Sequence, residues 1–309
     1  VKLNAARPLR EMRIAKASML YGPTNFIYEK ALESHAKHNR VHGYEMHVSR
    51  VAIVKGYWNK LLWLQHLILT ELQKPEGRRI DWIMYIDPSI LLLNPQISLR
   101  TFLPPPDESF DSLALISSKP DGKTLSTSSF FLRVSPTSLK LLAEAMAAPK
   151  QDPERNWGND IASTTLQSVV DQEEYRHAAL YQPAHWYNSA ATREYNITLG
   201  SLLARFPREL QGYRWKGMDD LLTLLSRDQR KFSKVAENTI YATEPHQFWA
   251  RVTEARKVLK QAEEHGKNVP AVDLSDKIWR LRDNLELNAW DAVALDESLA
   301  ILKEAVGLE

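Results

Sequence analysis

The chain contains no cysteine in its 309 residues. That absence excludes a disulfide framework, thiolate nucleophiles and any zinc or iron–sulfur centre built on Cys ligands. It leaves the compartment open, because a chain of this length buries a core that needs no covalent staples. Glycine is scarce, with 11 residues, about half the ~7% usual in proteins; this argues against a loop-rich or repeat-β protein. No run approaches the ~18 apolar residues of a membrane span, and the residues given show no signal-peptide pattern. Charge of one sign is missing too. The 40 Lys+Arg stand against 38 Asp+Glu, a formal net charge of +2, so there is no electrostatic case for nucleic acid. What is present is globular: 44% hydrophobic and 25% charged residues, enough to exclude wholesale disorder.

The first two-thirds alternates short apolar runs with helical patterns. Arg13–Tyr21 reads as a strand ending at the turn pair Gly22-Pro23, residues 24–42 as a helix, and Tyr44–Val48 as a second strand. Residues 57–74 form a helix apolar on much of its circumference. Trp82-Ile-Met-Tyr-Ile86 is a continuous apolar run, the pattern of a strand buried on both faces. Leu113–Ile116 and Phe130–Val134 are further strands, followed by helices at 136–147 and 159–171, a strand near 201–206 and a helix around 214–225. This alternation implies an α/β sheet domain. After residue 228 the pattern changes to charge-rich helices at 245–265, 273–287 and 290–306, broken by Gly266…Pro270 and by Asn288, with no β-like run.

The most informative stretch is Asp81–Pro95, in which the apolar run stops at Asp87-Pro88-Ser89 and resumes as Ile90–Leu93 before Asn94-Pro95. An acidic residue at the carboxyl end of a buried strand sits where open α/β sheets bind ligands. The plain structural alternative is a strand-terminating Asp-Pro turn.

This run resembles the metal-binding region of glycosyltransferase family 34, the fungal α-galactosyl/α-mannosyltransferase and plant xyloglucan xylosyltransferase family. There a Trp-rich strand leads into Asp-x-Asp, an apolar run and Asn-Pro. His38–Tyr44, Gly56–Lys60, Ser129–Arg133, Asn159-Asp160, Gln182–Asn188 and Leu202–Phe206 resemble further family segments in the same order, over about residues 38–225. The resemblance implies a GT-A-like (Rossmann-like nucleotide-diphospho-sugar transferase) α/β domain over residues 1–227, with residues 228–309 as a helical C-terminal extension. It implies a nucleotide-diphosphate sugar as donor, a glycan or small hydroxyl acceptor, and retention of configuration. It also implies Mn²⁺. A Golgi-lumenal address follows if an anchor preceded Val1, and a cytoplasmic one otherwise. The charge-rich C-terminal helices read as an appendage, either packed on the sheet domain or mediating homo- or hetero-oligomers.

The departures from the family pattern matter. Ser89 replaces the second carboxylate, Arg205 replaces the His that completes the metal site, and Ser126-Thr127-Ser128 replaces an Asn-rich turn. A hydroxyl is a poor ligand for a hard divalent cation, and a guanidinium offers only donors. Two of three metal ligands are therefore missing, and no metal or other cofactor is expected. Two outcomes stand open. In one, Arg205 pairs with the diphosphate in place of the cation and Asp87 binds ribose or sugar, giving a metal-independent transferase. In the other, the chain is a catalytically inactive pseudo-glycosyltransferase acting as a binding or assembly subunit.

The expected site follows. Asp160 and Arg205 are the catalytic candidates, with Asp160 near the reacting sugar or, alternatively, serving only as the N-cap of 161–170. Asp87, Ser89, Lys60 and Arg205 are the donor-binding set, although a lysine at a helix start is commonly only solvated. His185, Trp186 and Asn188 are assigned to the acceptor, where aromatic planes stack on sugars. Arg214 and Lys216 read as a solvated helix start that can add phosphate contacts. The spacing of His35, His38 and His42 fits one helix face, as zinc ligands would, but no carboxylate motif accompanies them, so packing histidines are expected. Asn196-Ile197-Thr198 is a sequon that matters only in a lumenal chain.

Overall fold

The computed structural model describes residues 12–191, 197–210, 212–266 and 272–308. The sequon's Asn196 and the break at Gly266…Pro270, beyond Gly266 itself, fall outside them. In chain order the elements are β1 (Ile14–Met19), α1 (Phe26–Ser34), α2 (Ala36–His42), β2 (Glu45–Ser49), α3 (Asn59–Leu72), β3 (Trp82–Ile86), β4 (Ile90–Leu92), β5 (Leu115–Ser117), β6 (Ser129–Arg133), α4 (Pro136–Gln151), α5 (Ile161–Val170), α6 (Glu173–Arg176), β7 (Ala179–Tyr181), β8 (Leu203–Arg205), α7 (Gly212–Arg227), α8 (Gln229–Phe232), α9 (Glu244–Gly266), α10 (Val272–Leu287) and α11 (Ala292–Val306).

Six strands form one sheet in the order β2-β1-β3-β6-β5-β7. β1 pairs parallel with β2 and β3, and β5 parallel with β7, while β6 runs antiparallel to both of its neighbours. The carboxyl ends of β1, β3, β5 and β7 therefore share one edge of the sheet with the amino end of β6. Ligands of open α/β sheets bind along such an edge.

The two-residue period of a strand sorts β3 between two cores. Trp82, Met84 and Ile86 point to one face, where they meet Phe131 and the apolar sides of α9, α10 and α11, among them Phe248, Val252, Leu281 and Leu299. Ile83 and Tyr85 point to the other, where α3, α4 and α5 supply Leu64, Leu142 and Leu166. The result is a three-layer α/β architecture whose C-terminal helices share a core with the sheet. Among the described residues no helix is long and apolar enough to cross a membrane.

Some elements differ from the sequence expectation. The helix expected over 24–42 breaks at His35, whose ring is drawn inward toward Ile90, and Gly43 ends α2 with a left-handed φ of 69°. The strands β4 and β7 have three residues each, too few to display a period. β4 pairs antiparallel with β8 in a small second sheet, with Ile90 opposite Arg205. The Asn94 of the Asn-Pro element is buried and structural: its Nδ2 donates to the carbonyls of Gly200 (3.1 Å) and Lys234 (2.8 Å).

Candidate active site

The chain leaves β3 through the turn Asp87-Pro88-Ser89-Ile90, closed by the Ile90 N–H donating to the Asp87 carbonyl at 3.0 Å. The Asp87 N–H donates to the Ser128 carbonyl (2.8 Å) and the Phe206 N–H to the Ser89 carbonyl (3.0 Å). Together with the β4–β8 pairing, these bonds bring Arg205 beside the turn although it lies over a hundred residues downstream. A cavity of about 550 Å³ opens here, at the carboxyl ends of β1 and β3.

Among the described residues, four cations (Lys60, Arg205, Arg208, Arg214) and three carboxylates (Asp87, Asp160, Glu209) line the cavity. The cavity thus gathers all five residues expected at the donor or catalytic positions, Asp87, Ser89, Lys60, Asp160 and Arg205. Arg205 is half-buried, and its Nε donates to the Asn188 carbonyl at 3.4 Å. Burial lowers its pKa from the ordinary value, while the charges of Glu209 and Asp87 oppose the shift; a guanidinium stays cationic under these conditions. Arg214, a solvated residue in the sequence reading, packs over Tyr28 and Trp215 at 5.4 Å from each ring centroid, and its Nε is buried without a hydrogen-bond partner. Lys216 instead pairs with Asp220 one turn along α7.

A chain of side-chain hydrogen bonds joins the two expected carboxylates. Lys60 Nζ lies 3.4 Å from Asp87 Oδ1 and donates to the Thr127 carbonyl at 2.8 Å, with Thr127 Oγ1 at 3.3 Å. Thr127 Oγ1 and Ser163 Oγ are 2.8 Å apart, and Ser163 Oγ donates to Asp160 Oδ2 at 2.7 Å. Asp160 is also the N-cap of α5, so the capping role and a place in the cavity hold together. Tyr85 closes the base of the site. Burial raises the pKa of its hydroxyl well above the ordinary value, and the charge of Asp87 and a hydrogen bond to it add to the shift.

Sequence reasoning missed Asn59, Thr127, Ser163 and Arg208. Asn59 spends its whole carboxamide on the cavity rim: Oδ1 accepts from Ile53 N–H (2.6 Å) and Val54 N–H (2.9 Å), and Nδ2 donates to the Val54 (2.8 Å) and Gly56 (3.0 Å) carbonyls. Its position just before Lys60 at a helix start was the available signal.

The surroundings of Asp87 do not fit a hard divalent cation. Such an ion needs several anionic or neutral oxygen ligands, whereas Asp87 is faced by the Lys60 ammonium and stands with a hydroxyl, Ser89, and a guanidinium, Arg205. Among the described residues no three His, Asp or Glu side chains group closely enough to hold a metal ion. His35, between α1 and α2, and His38 of α2 form a closed cluster instead. His35 and His38 direct Nδ1 at the Lys16 Nζ (3.3 and 2.7 Å) and Nε2 at the carbonyls of Ile90 (3.3 Å) and Ile97 (2.7 Å).

The residues assigned to the acceptor lie elsewhere. His185 and Trp186 line a second cavity of about 530 Å³ that shares no lining residue with the first. Asn188 lines neither: it is buried, with Nδ2 donating to Ser118 Oγ (2.8 Å) and the Ser129 carbonyl (2.7 Å).

No protein-family model matches the chain, and no curated protein matches it in sequence. Similar solved structures include a glycosyltransferase involved in the glycosylation of the major capsid of PBCV-1, at 12% identity and a TM-score of 0.49, over 67% of this chain and 99% of that one. Another is the galactosyltransferase LgtC in complex with donor and acceptor sugar analogs, at 9% identity and a TM-score of 0.42, over 68% of this chain and 95% of that one.

Proposed function

We propose that this chain is a GT-A-like glycosyltransferase that moves a sugar from a nucleotide-diphosphate sugar to a hydroxyl acceptor, without a divalent cation. The observation that carries the reading is the grouping of Asp87, at the carboxyl end of a central strand, with Lys60, Arg205, Arg208 and Arg214 in one cavity. Arg205, with Arg208 and Arg214, pairs with the diphosphate; a guanidinium binds phosphate oxygens bidentately and holds its charge throughout the reaction. Asp87, with Oδ1 turned to Lys60, accepts hydrogen bonds from donor hydroxyls. Asp160, anchored by Ser163, stabilises the positive charge that develops on the sugar ring as the bond to phosphate breaks. The anomeric carbon exchanges its bond to phosphate for one to the acceptor oxygen, and the acceptor's proton leaves with the nucleoside diphosphate. The family-34 resemblance adds retention of configuration.

Isothermal titration with a panel of nucleotide sugars, with and without Mn²⁺, tests this. Binding is expected without metal, and Arg205→Ala weakens it by about 1.5–3 kcal/mol, the worth of a hydrogen bond to a charged group. Absence of nucleotide binding, or binding strictly dependent on Mn²⁺, overturns it. The close approach of Lys60 and Tyr85 to Asp87 favours a second reading, a nucleotide-binding pseudo-enzyme. Metal-independent binding with neither sugar transfer nor donor hydrolysis distinguishes that case.

A further inference from the structure

The second cavity lies on the same carboxyl edge of the sheet as the first, beyond β5 and β7, and is roofed by α9 and the segment that enters α11. Its volume of about 530 Å³ falls within the ~300–1,000 Å³ usual for small-molecule sites. The chemistry of its walls is specific. Glu244 Oε2 accepts from both Trp186 Nε1 (2.8 Å) and His185 Nε2 (2.6 Å). This fixes a partly exposed carboxylate whose other oxygen has no hydrogen bond among the described residues. The exposed Gln247 carboxamide lies on the same wall, and the partly buried Trp290 contributes a flat apolar one.

The cations of this groove are already engaged. Arg251 Nε pairs with Asp296 at 2.6 Å, and Lys119 Nζ donates to the Leu287 carbonyl at 3.0 Å while standing 4.0 Å over the Tyr181 ring. Among the described residues, both cations that line this groove have protein partners, unlike the guanidinium of Arg205, which forms no ion pair. A wholly apolar ligand would leave the Glu244 oxygen buried and unpaired, at a cost of solvation. A ligand with hydroxyls on its rim and C–H groups on its face meets both demands. We infer that this groove is a saccharide-binding site, distinct from the cavity at Asp87, for an uncharged oligosaccharide. Its role as a holder of an extended acceptor rests on the transferase reading; its binding of sugar does not.

The test is titration of the full chain with tetra- to hexasaccharides of glucose, xylose, mannose and galactose, with nucleotide binding measured in parallel. At least one neutral oligosaccharide is expected to bind. Glu244→Gln and Trp290→Ala each weaken that binding by about tenfold or more, and leave nucleotide binding unchanged. Gln247→Ala, on an exposed side chain that cannot endanger the fold, gives a smaller loss in the same direction. Failure of every saccharide to bind wild type at about 10 mM overturns the inference. So does binding that survives Glu244→Gln but is lost in Arg205→Ala, since that places the sugar in the first cavity. Saccharide binding without any nucleotide binding sustains the groove and removes the transferase reading instead.

Discussion

Lys16, His35 and His38 form a polar cluster beside β1, and Lys60, Asp87 and Arg205 form another at the carboxyl end of β3. Both are rich in nitrogen, yet they are opposites. In the first, all three side chains are fully buried and every ring nitrogen has a protein partner. In the second, the guanidinium of Arg205 has no ion-pair partner among the described residues, and the cations outnumber the carboxylates that line the same cavity. A cluster whose hydrogen-bonding capacity is spent on the fold holds the fold together. One whose capacity is unspent has room for a ligand.

Substitution in each cluster separates the two roles. His38→Ala removes a buried ring that packs on His42 and Tyr44 at centroid distances of 4.7 and 5.2 Å, and it leaves Lys16 and the Ile97 carbonyl short of a partner. The lost packing and the orphaned groups together cost about 3 kcal/mol of stability, read as a lower urea midpoint. Nucleotide affinity of the folded fraction stays the same. Arg205→Ala does the reverse. Its affinity loss comes with a stability change within about 1 kcal/mol, because among the described residues the side chain makes one long hydrogen bond to the fold. A variant that lost both properties, in either cluster, would dissolve the distinction.

Acid sharpens the same contrast. Burial, and then the nearby Lys16, lower the pKa of His35 well below its ordinary value and bring that of His38 to about 2. The proton would have to enter at Nδ1, facing the lysine. Below pH ~6.5 the unfolded chain takes up protons on these imidazoles that the folded chain refuses, so stability falls as pH falls, by up to about 1.4 kcal/mol per unit for each histidine. Asp171 and Glu286, whose pKa burial raises, work with the opposite sign. The diagnostic quantity is therefore the difference between wild type and His38→Asn in urea midpoint from pH 7 to pH 5. The slope should be shallower in the variant; equal slopes would show that the cluster does not govern acid stability.

The contrast explains what the sequence disclosed. Five consecutive apolar residues identified β3, and the rule that ligands meet the carboxyl ends of strands singled out Asp87, which lines the first cavity. The charge pattern after residue 228 separated three helices, but it did not show that Phe248 and Val252 complete the core on one sheet face. Arg205 was visible only through the family resemblance, because its link to Asp87 depends on two three-residue strands that carry no period. Asn188 carries the right chemistry for a sugar contact, but its amide hydrogens are spent on Ser118 and Ser129. A single sequence lists donors and acceptors; it does not say which of them the fold has already used.

Thr127 and Ser163 are the finest instance, since they are ordinary hydroxyl residues 36 positions apart that meet only in the folded chain. Every bond in their chain has the same sense: Lys60 donates to Thr127, Thr127 to Ser163, and Ser163 to Asp160. The sequence of donors leaves the ammonium of Lys60 oriented toward Asp87 and fixes the carboxylate of Asp160 at the start of α5. Neither Thr127 nor Ser163 lines the cavity, so their link to it runs through Lys60 and Asp160. Thr127→Val keeps the shape and breaks the chain at its centre, while the Lys60 bond to the Thr127 carbonyl persists. Nucleotide affinity is expected to fall only severalfold, in line with about 1 kcal/mol for a neutral hydrogen bond. If the chain serves transfer, the rate of sugar transfer falls more than donor affinity, because a misaligned Asp160 is felt mainly in the transition state. If Thr127→Val lowers stability alone and leaves both affinity and transfer rate untouched, the chain belongs with the closed cluster at Lys16 and not with the open one at Asp87.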